Sequence, residues 1–150
     1  MTRTLRSLLL IGIALGLSSS ATAGNLTAHL SGDEEVPPVD TGAVGQTILK
    51  IRGDTLEYKL IVANIVDVVA AHIHCALAGV NGPVGVTLFG GGPVSSSGIL
   101  AQGPILAPDG GNACGWADVA DVIAALEGGD TYVNVHTLAH LGGEIRGQID

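Results

Sequence analysis

The feature that most constrains the fold is a pair of alternating segments joined by a tight turn. Residues 47–52 and 56–62 alternate apolar with polar or charged side chains, and Gly53-Asp54 lies between them. Alternate residues of a strand project from the same face, so Tyr58, Leu60 and Val62 share one face of the second segment. Such alternation around a glycine-containing turn predicts a β-hairpin.

Further short strands are predicted along the rest of the chain. The sequence has 23 glycines and few aromatic residues, which suits short strands and tight turns around an aliphatic core. The predicted strands are 26–30, 70–75, 84–89, 99–106, 131–136 and 144–149. A connection is expected at 64–70 and a mobile glycine- and serine-rich loop at 90–98. Residues from Trp116 to Leu126 have helical spacing, and Gly128-Gly129 ends this one helix.

The first 23 residues have the layout of a secretory signal peptide. Arg3 and Arg6 precede an apolar run over 8–17, and small residues end at Ala23. Cleavage after Ala23 would leave 24–150 as a single domain in the periplasm or outside the cell. The apolar run is too short to span a bilayer, and we expect no integral membrane segment in the mature chain.

Charge and cysteine content narrow the possible partners. The chain has a formal net charge of −8, and without Arg3 and Arg6 the charge becomes −10, which argues against nucleic acid as a partner. The two cysteines of an exported chain, Cys75 and Cys114, are expected to form one disulfide.

Histidines give the clearest functional signal. His72 and His74 alternate on one predicted strand, and a later strand carries His136, with His140 four residues on. Neutral imidazoles in an exported protein suit copper or zinc. We therefore predict a transition-metal site, copper ahead of zinc, with these four residues as ligands. His29 stands apart and is expected at the surface.

Neighbouring polar residues are expected to support this site. If the last two strands pair symmetrically across their loop, His136 faces Glu144 and Asn134 faces Arg146. Glu144 would then accept an imidazole N–H and fix the tautomer of a metal-bound histidine. On this parity Asn134, Glu144 and Arg146 lie on the outward face of the sheet.

Other readings of these residues stay open. Both histidines of the first pair can simply be polar residues on the outer face of a half-buried strand. The chain would then be a metal-free binding or adhesion module. Glu34 and Glu35 are adjacent and diverge on an extended chain, so a solvated loop is expected instead of an acid–base pair.

A set of ordered motifs then resembles a known family, the CHRD domain named from chordin. The motifs are Leu30-Ser31-Gly32, Glu35-Val36-Pro37-Pro38, Thr41-Gly42, Ala70-Ala71-His72-Ile73-His74, Gly82-Pro83-Val84, Tyr132-Val133-Asn134-Val135-His136-Thr137 and Gly142-Gly143-Glu144-Ile145-Arg146-Gly147-Gln148-Ile149. The resemblance covers residues 24–150 and implies an extracellular all-β sandwich. Its partner would be an unknown extracytoplasmic protein. Leu141 departs from the proline expected there.

The order of the histidine motifs is also similar, more distantly, to copper-zinc superoxide dismutase. That resemblance implies a Greek-key, immunoglobulin-like sandwich, to which the helical spacing noted above adds one short helix. It matches His72, His74 and His136 to copper ligands and places Arg146 near an anion-guiding arginine. The zinc-ligand loop and one copper-ligand histidine have no match. A superoxide-dismutase-like redox enzyme is therefore a further alternative to a non-catalytic copper protein.

Overall fold

The computed structural model describes residues 24–150, and the predicted signal peptide lies outside them. The described chain is mostly β with one short helix, as predicted. The strands are β1 (Gly24–Ser31), β2 (Val44–Arg52), β3 (Thr55–Cys75), β4 (Val84–Ile105), β5 (Thr131–Thr137) and β6 (Ile145–Gln148), and the helix is α1 (Val119–Gly128).

All six strands belong to one antiparallel sheet that closes on itself. The strand order is β2-β1-β6-β5-β3-β4, and β2 also pairs with β3. Residues 55–63 of β3 pair with β2, whereas residues 68–75 pair with β5. Because one long strand takes two partners in succession, the sheet has a barrel-like arrangement. The predicted hairpin is β2–β3, with Arg52 opposite Thr55.

Two segments predicted to lie between strands are strand instead. The connection at 64–70 is part of β3, and the loop at 90–98 is part of β4. The two strands pair along their whole length, but with repeated register shifts. Gly91, Gly92 and Gly98 have φ values of 115°, 118° and 142°, which side chains rarely adopt, so glycine lets β4 bend without leaving the sheet.

Serine side chains complete the irregular part of this pairing. Asn64 and Asp67 of β3 have positive φ values of 57° and 54°. Their backbone N–H groups donate to the hydroxyls of Ser97 and Ser95, each at 3.2 Å. The sequence predicted a mobile loop because glycine and serine are typical of one; here they supply the bends and acceptors that an irregular ladder needs.

One face of the closed sheet forms the aliphatic core, which α1 covers. Asp118 caps the helix through the N–H groups of Ala120 and Asp121, and Gly129 ends it in a left-handed conformation. Val122 and Leu126 are buried in the core. The predicted helix is thus confirmed, although it begins at Val119, after Trp116. No helix within residues 24–150 has the length and hydropathy needed to cross a bilayer.

Candidate metal centre

Three histidines converge where β3 and β5 run side by side. His72 lies opposite Asn134 in this pairing, so the imidazoles of β3 project from the same face of the sheet as His136 of β5. His72, His74 and His136 each offer one ring nitrogen, and these nitrogens all lie within 4.8 Å of one another. The ring centroids are 4.9 to 6.0 Å apart. Residues far apart in sequence therefore form one compact imidazole cluster.

Main-chain carbonyls orient two of the three rings. His74 Nδ1 lies 2.9 Å from the Gly82 carbonyl oxygen, and His136 Nδ1 lies 3.0 Å from that of Leu141. A carbonyl accepts only, so each Nδ1 carries the proton and each Nε2 has a free lone pair. Both Nε2 atoms are buried without a hydrogen-bond partner. This is the arrangement that presents histidine to a metal ion.

His72 completes the group from the neighbouring position on β3. Its Nδ1 is also buried and has no hydrogen-bond partner. Burial, reinforced by the nearby rings of His136 and His74, lowers the pKa of His72 to about 4. Burial also lowers the pKa of His74 and of His136. The three rings are therefore neutral at pH 7, as metal ligation requires.

The spacing of the cluster suits one transition-metal ion. Three nitrogens no more than 4.8 Å apart can lie within about 2.8 Å of a shared centre. Metal–imidazole bonds are about 2.0–2.1 Å long, so inward shifts of less than about 1 Å would bring the rings into coordination. Unpartnered buried nitrogens are costly, and a bound cation would satisfy those that ligate it.

Two further side chains, Tyr132 and Arg146, stack in succession on the His74 ring. The Tyr132 ring stacks on His74 with centroids 4.7 Å apart and an interplanar angle of 8°. The Arg146 guanidinium carbon lies 3.5 Å from the Tyr132 centroid on a stacked cation–π contact. Tyr132 and Arg146 are each 2% exposed, so the stack is shielded from solvent.

Comparison with protein families matches residues 26–149 to the CHRD domain. The chain belongs to the CHRD family. The resemblance inferred from the motifs is thereby confirmed over nearly all of the described residues. No curated protein and no solved structure matches the chain. The likeness to copper-zinc superoxide dismutase has no support beyond the order of the histidines.

The CHRD domain does not bring every predicted ligand together. His140 lies outside the cluster. Its backbone instead forms a turn with Thr137: the His140 N–H donates to the Thr137 carbonyl and the Thr137 N–H donates to the His140 carbonyl, each at 3.2 Å. His29 is exposed on β1, as expected. The disulfide between Cys75 and Cys114 is present, with Cα atoms 5.8 Å apart.

The supporting residues also differ from the prediction. Asn134 does pair with Arg146. Glu144, however, accepts from the hydroxyls of Thr41 and Thr137 at 2.8 and 2.6 Å, so it is not the acceptor for His136. The Leu141 carbonyl takes that place. Since the acceptor for His136 is a backbone carbonyl, which every residue type has, leucine in place of proline leaves the acceptor intact.

Arg146 is not an exposed anion guide in this CHRD domain. Its guanidinium donates to the Asn81 side chain at 3.1 Å and to the carbonyls of Val80 and Leu77 at 2.9 and 3.5 Å. These partners belong to the 76–83 loop, which covers the polar face of β5 and β6. The face predicted to point outward is therefore buried, because a loop that alternation does not reveal lies over it.

Several contributors to the site were missed at the sequence level. Tyr132, Gly82 and Leu141 orient the rings, and Asp109 raises the His72 pKa against the larger effect of burial. Glu35, predicted to be solvated, is 5% exposed. The Gly82-Pro83 motif was the one sequence signal for the carbonyl that orients His74. The remaining contacts depend on the paths of loops, which the sequence does not indicate.

Proposed function

We propose that this chain is an exported CHRD-domain protein that binds one copper ion through His72, His74 and His136. The observation that carries the proposal is the convergence of three imidazoles, each with a ring nitrogen within 4.8 Å of those of the others. Each ring also has one buried nitrogen without a hydrogen-bond partner. No cysteine thiolate competes for the ion, because both cysteines are in the disulfide.

Copper is favoured by the chemistry of the donors. An all-imidazole set suits copper and zinc, and copper is the stronger binder of divalent first-row metals at a given nitrogen site. The two Nδ1–carbonyl bonds raise the basicity of the rings and hold them in one tautomer. A three-imidazole site leaves a coordination position for an external ligand, which suits storage, transfer or redox use.

Export is the second part of the proposal. Residues 1–23 would act as the signal peptide, and 24–150 would be the mature domain, periplasmic or secreted. The Cys75–Cys114 disulfide supports this placement, because such bonds persist in oxidising compartments. A Greek-key sandwich remains the finer fold that we propose for the closed sheet.

Metal titration of the exported protein tests the proposal. The metal-free protein is titrated with Cu(I), Cu(II) and Zn(II), beside the variant His72→Ala/His74→Ala and the matched control His140→Ala. We expect one copper per parent chain, an affinity at least about 100-fold lower in the double variant, and an unchanged affinity in the control. Circular dichroism of each variant checks that the sheet is retained.

The other functional classes are outcomes of the same experiment. Equal, weak uptake by parent and double variant would overturn the metal site and leave a metal-free binding or adhesion module. Copper-dependent removal of superoxide by the parent would instead indicate an enzyme. The burial of Arg146 speaks against that outcome, since its guanidinium is not exposed to draw in the anion.

A further inference from the structure

A second buried polar group lies beside the histidine cluster and plays no part in holding a metal. It joins Glu35, which follows a short 3-10 turn at Gly32–Glu34, to Asn134 in the middle of β5. The two side chains are 5% and 2% exposed. The Asn134 Nδ2 group donates to Glu35 Oε2 at 3.3 Å.

The remaining oxygen of each side chain has no partner. Glu35 Oε1 and Asn134 Oδ1 are both buried and accept no hydrogen bond. Both atoms lie within 2.6 Å of the point that a Cβ on Gly143 would occupy, so they border the same small space. If Glu35 were ionised, both buried oxygens would be acceptors without a donor, which is strongly unfavourable.

We propose that Glu35 keeps its proton in mildly acidic solution and that its carboxylic acid forms a closed pair with the Asn134 amide. In this pair the Asn134 Nδ2–H donates to Glu35 Oε2, and the Glu35 Oε1–H donates to Asn134 Oδ1. Both orphaned oxygens are then satisfied. Glu35 thereby acts as a positioning residue that fastens residues 32–39 to β5, independently of any metal.

The surroundings of Glu35 favour the neutral form. Burial raises its pKa to about 7, against the lowering effects of the Asn134 hydrogen bond, the Arg146 charge and the Val36 backbone. Arg146 is the charged residue that acts on Glu35, and its own hydrogen bonds go to the 76–83 loop. The nearby Glu144 carboxylate is held by two threonine hydroxyls.

This pair is connected to the metal centre through two routes. Asn134 lies opposite His72 in the β3–β5 pairing and two residues before His136. The Val36 carbonyl accepts from Asn81 Nδ2 at 2.7 Å, and Gly82, which follows Asn81, orients His74. Ionisation of Glu35 would remove the hydrogen bond from Glu35 Oε1 to Asn134 Oδ1, and with it part of the attachment of residues 32–39 to β5.

Infrared spectroscopy and urea unfolding of the metal-free protein test the pair. At about pH 6 exposed carboxyl groups are ionised, so a remaining carboxylic-acid C=O band reports a buried acid. We expect this band in the parent and in the exposed neighbour control Glu34→Gln, and we expect Glu35→Gln to lack it. In the parent the band should titrate near pH 7.

The unfolding experiment gives an independent sign. Between about pH 4.5 and 7 the unfolded parent loses a proton from Glu35 that the native state keeps, so the contribution of Glu35 to parent stability falls with rising pH. Glutamine supplies the same donor and acceptor at every pH. The folding constant of the parent should therefore fall at least about tenfold relative to Glu35→Gln over this range. Histidine titration affects both proteins and cancels.

The outcomes separate cleanly. Absence of the acid band in the parent at pH 6 would overturn the pair, and so would a stability difference between parent and Glu35→Gln that does not change with pH. If Glu35→Gln fails to fold, the infrared titration of the parent still decides. Because chelator keeps the protein metal-free throughout, failure here leaves the copper proposal untouched.

Discussion

At the scale of single residues, two main-chain carbonyls determine what the histidines can do. Each fixes the proton on Nδ1 and leaves Nε2 free, and burial keeps the rings neutral. The His72 and His74 pair could be read from strand alternation, and so could the parity that places Ala71 and Ile73 in the core. The orienting carbonyls could not, since any residue type supplies one and only the loop path selects it.

Metal binding should persist into mild acid. Burial lowers the pKa of all three rings from 6.5, that of His72 to about 4, so protons compete with the metal at a lower pH than they would at an exposed histidine. We expect equilibrium dialysis of the copper-loaded protein to show half-release below about pH 5. Half-release near the ordinary histidine pKa of about 6.5 would contradict the buried cluster.

The metal-free protein should respond to acid through the same rings. The native state does not take up protons that the unfolded state binds below pH 6.5, so the free energy of unfolding contributed by the rings falls as pH drops toward 4. The variant His72→Gln should lose part of this dependence in urea unfolding, whereas the exposed His29→Gln should keep it. Identical pH profiles would contradict the assignment.

At the scale of elements, the loops around β5 and β6 carry the polar packing that the strands leave unsatisfied. The 76–83 loop covers Arg146, and Gly143 passes directly over Asn134 and Glu35. Most strands, the β2–β3 turn and the end of the helix were predictable because alternation, Gly53-Asp54 and Gly128-Gly129 are local signals. Loop coverage was not, because it depends on contacts such as Asn81 to Val36, 45 residues apart.

Replacing Gly143 with a larger residue should disrupt its packing against Asn134 and Glu35. Gly143 has a φ of 126°, and an added Cβ would meet Glu35 Oε1 at 2.6 Å and the Asn134 amide. Gly143→Ala should therefore lower the free energy of unfolding by at least about 2 kcal/mol through backbone strain and overpacking.

Gly142 offers the matched control, because a Cβ there meets nothing within 4 Å. Gly142→Ala should stay within about 0.5 kcal/mol of the parent in urea unfolding. Equal losses in both variants would show that the loop tolerates no alanine at all, and the close contact at Gly143 would not be the cause.

At the scale of the whole molecule, closure of the sheet and one disulfide hold distant parts of the chain together. Ser31 pairs with Arg146, which joins β1 to β6 and completes the ring of strands. A β-rich fold followed from the sequence, whereas closure did not. It arises from β3 changing partner near Asn64 and Asp67, where the sequence pattern predicted an interruption.

Removing the disulfide should destabilise the domain without changing its topology. Cys75 and Cys114 are 39 residues apart, and a closed loop of that size contributes about 4 kcal/mol in the chain-entropy estimate. Cys75→Ser/Cys114→Ser should lower the free energy of unfolding by roughly 2–4 kcal/mol in urea, and reductant should have the same effect on the parent. A loss below about 1 kcal/mol would contradict this role.

The two partners of β3 have a consequence for dissection of the protein. Any cut within this strand deprives β5 or β2 of the edge on which it is aligned, so a boundary inside β3 does not divide the chain into two self-sufficient fragments. Truncated or complementing fragments should fold only where the whole of β3 stays on one polypeptide.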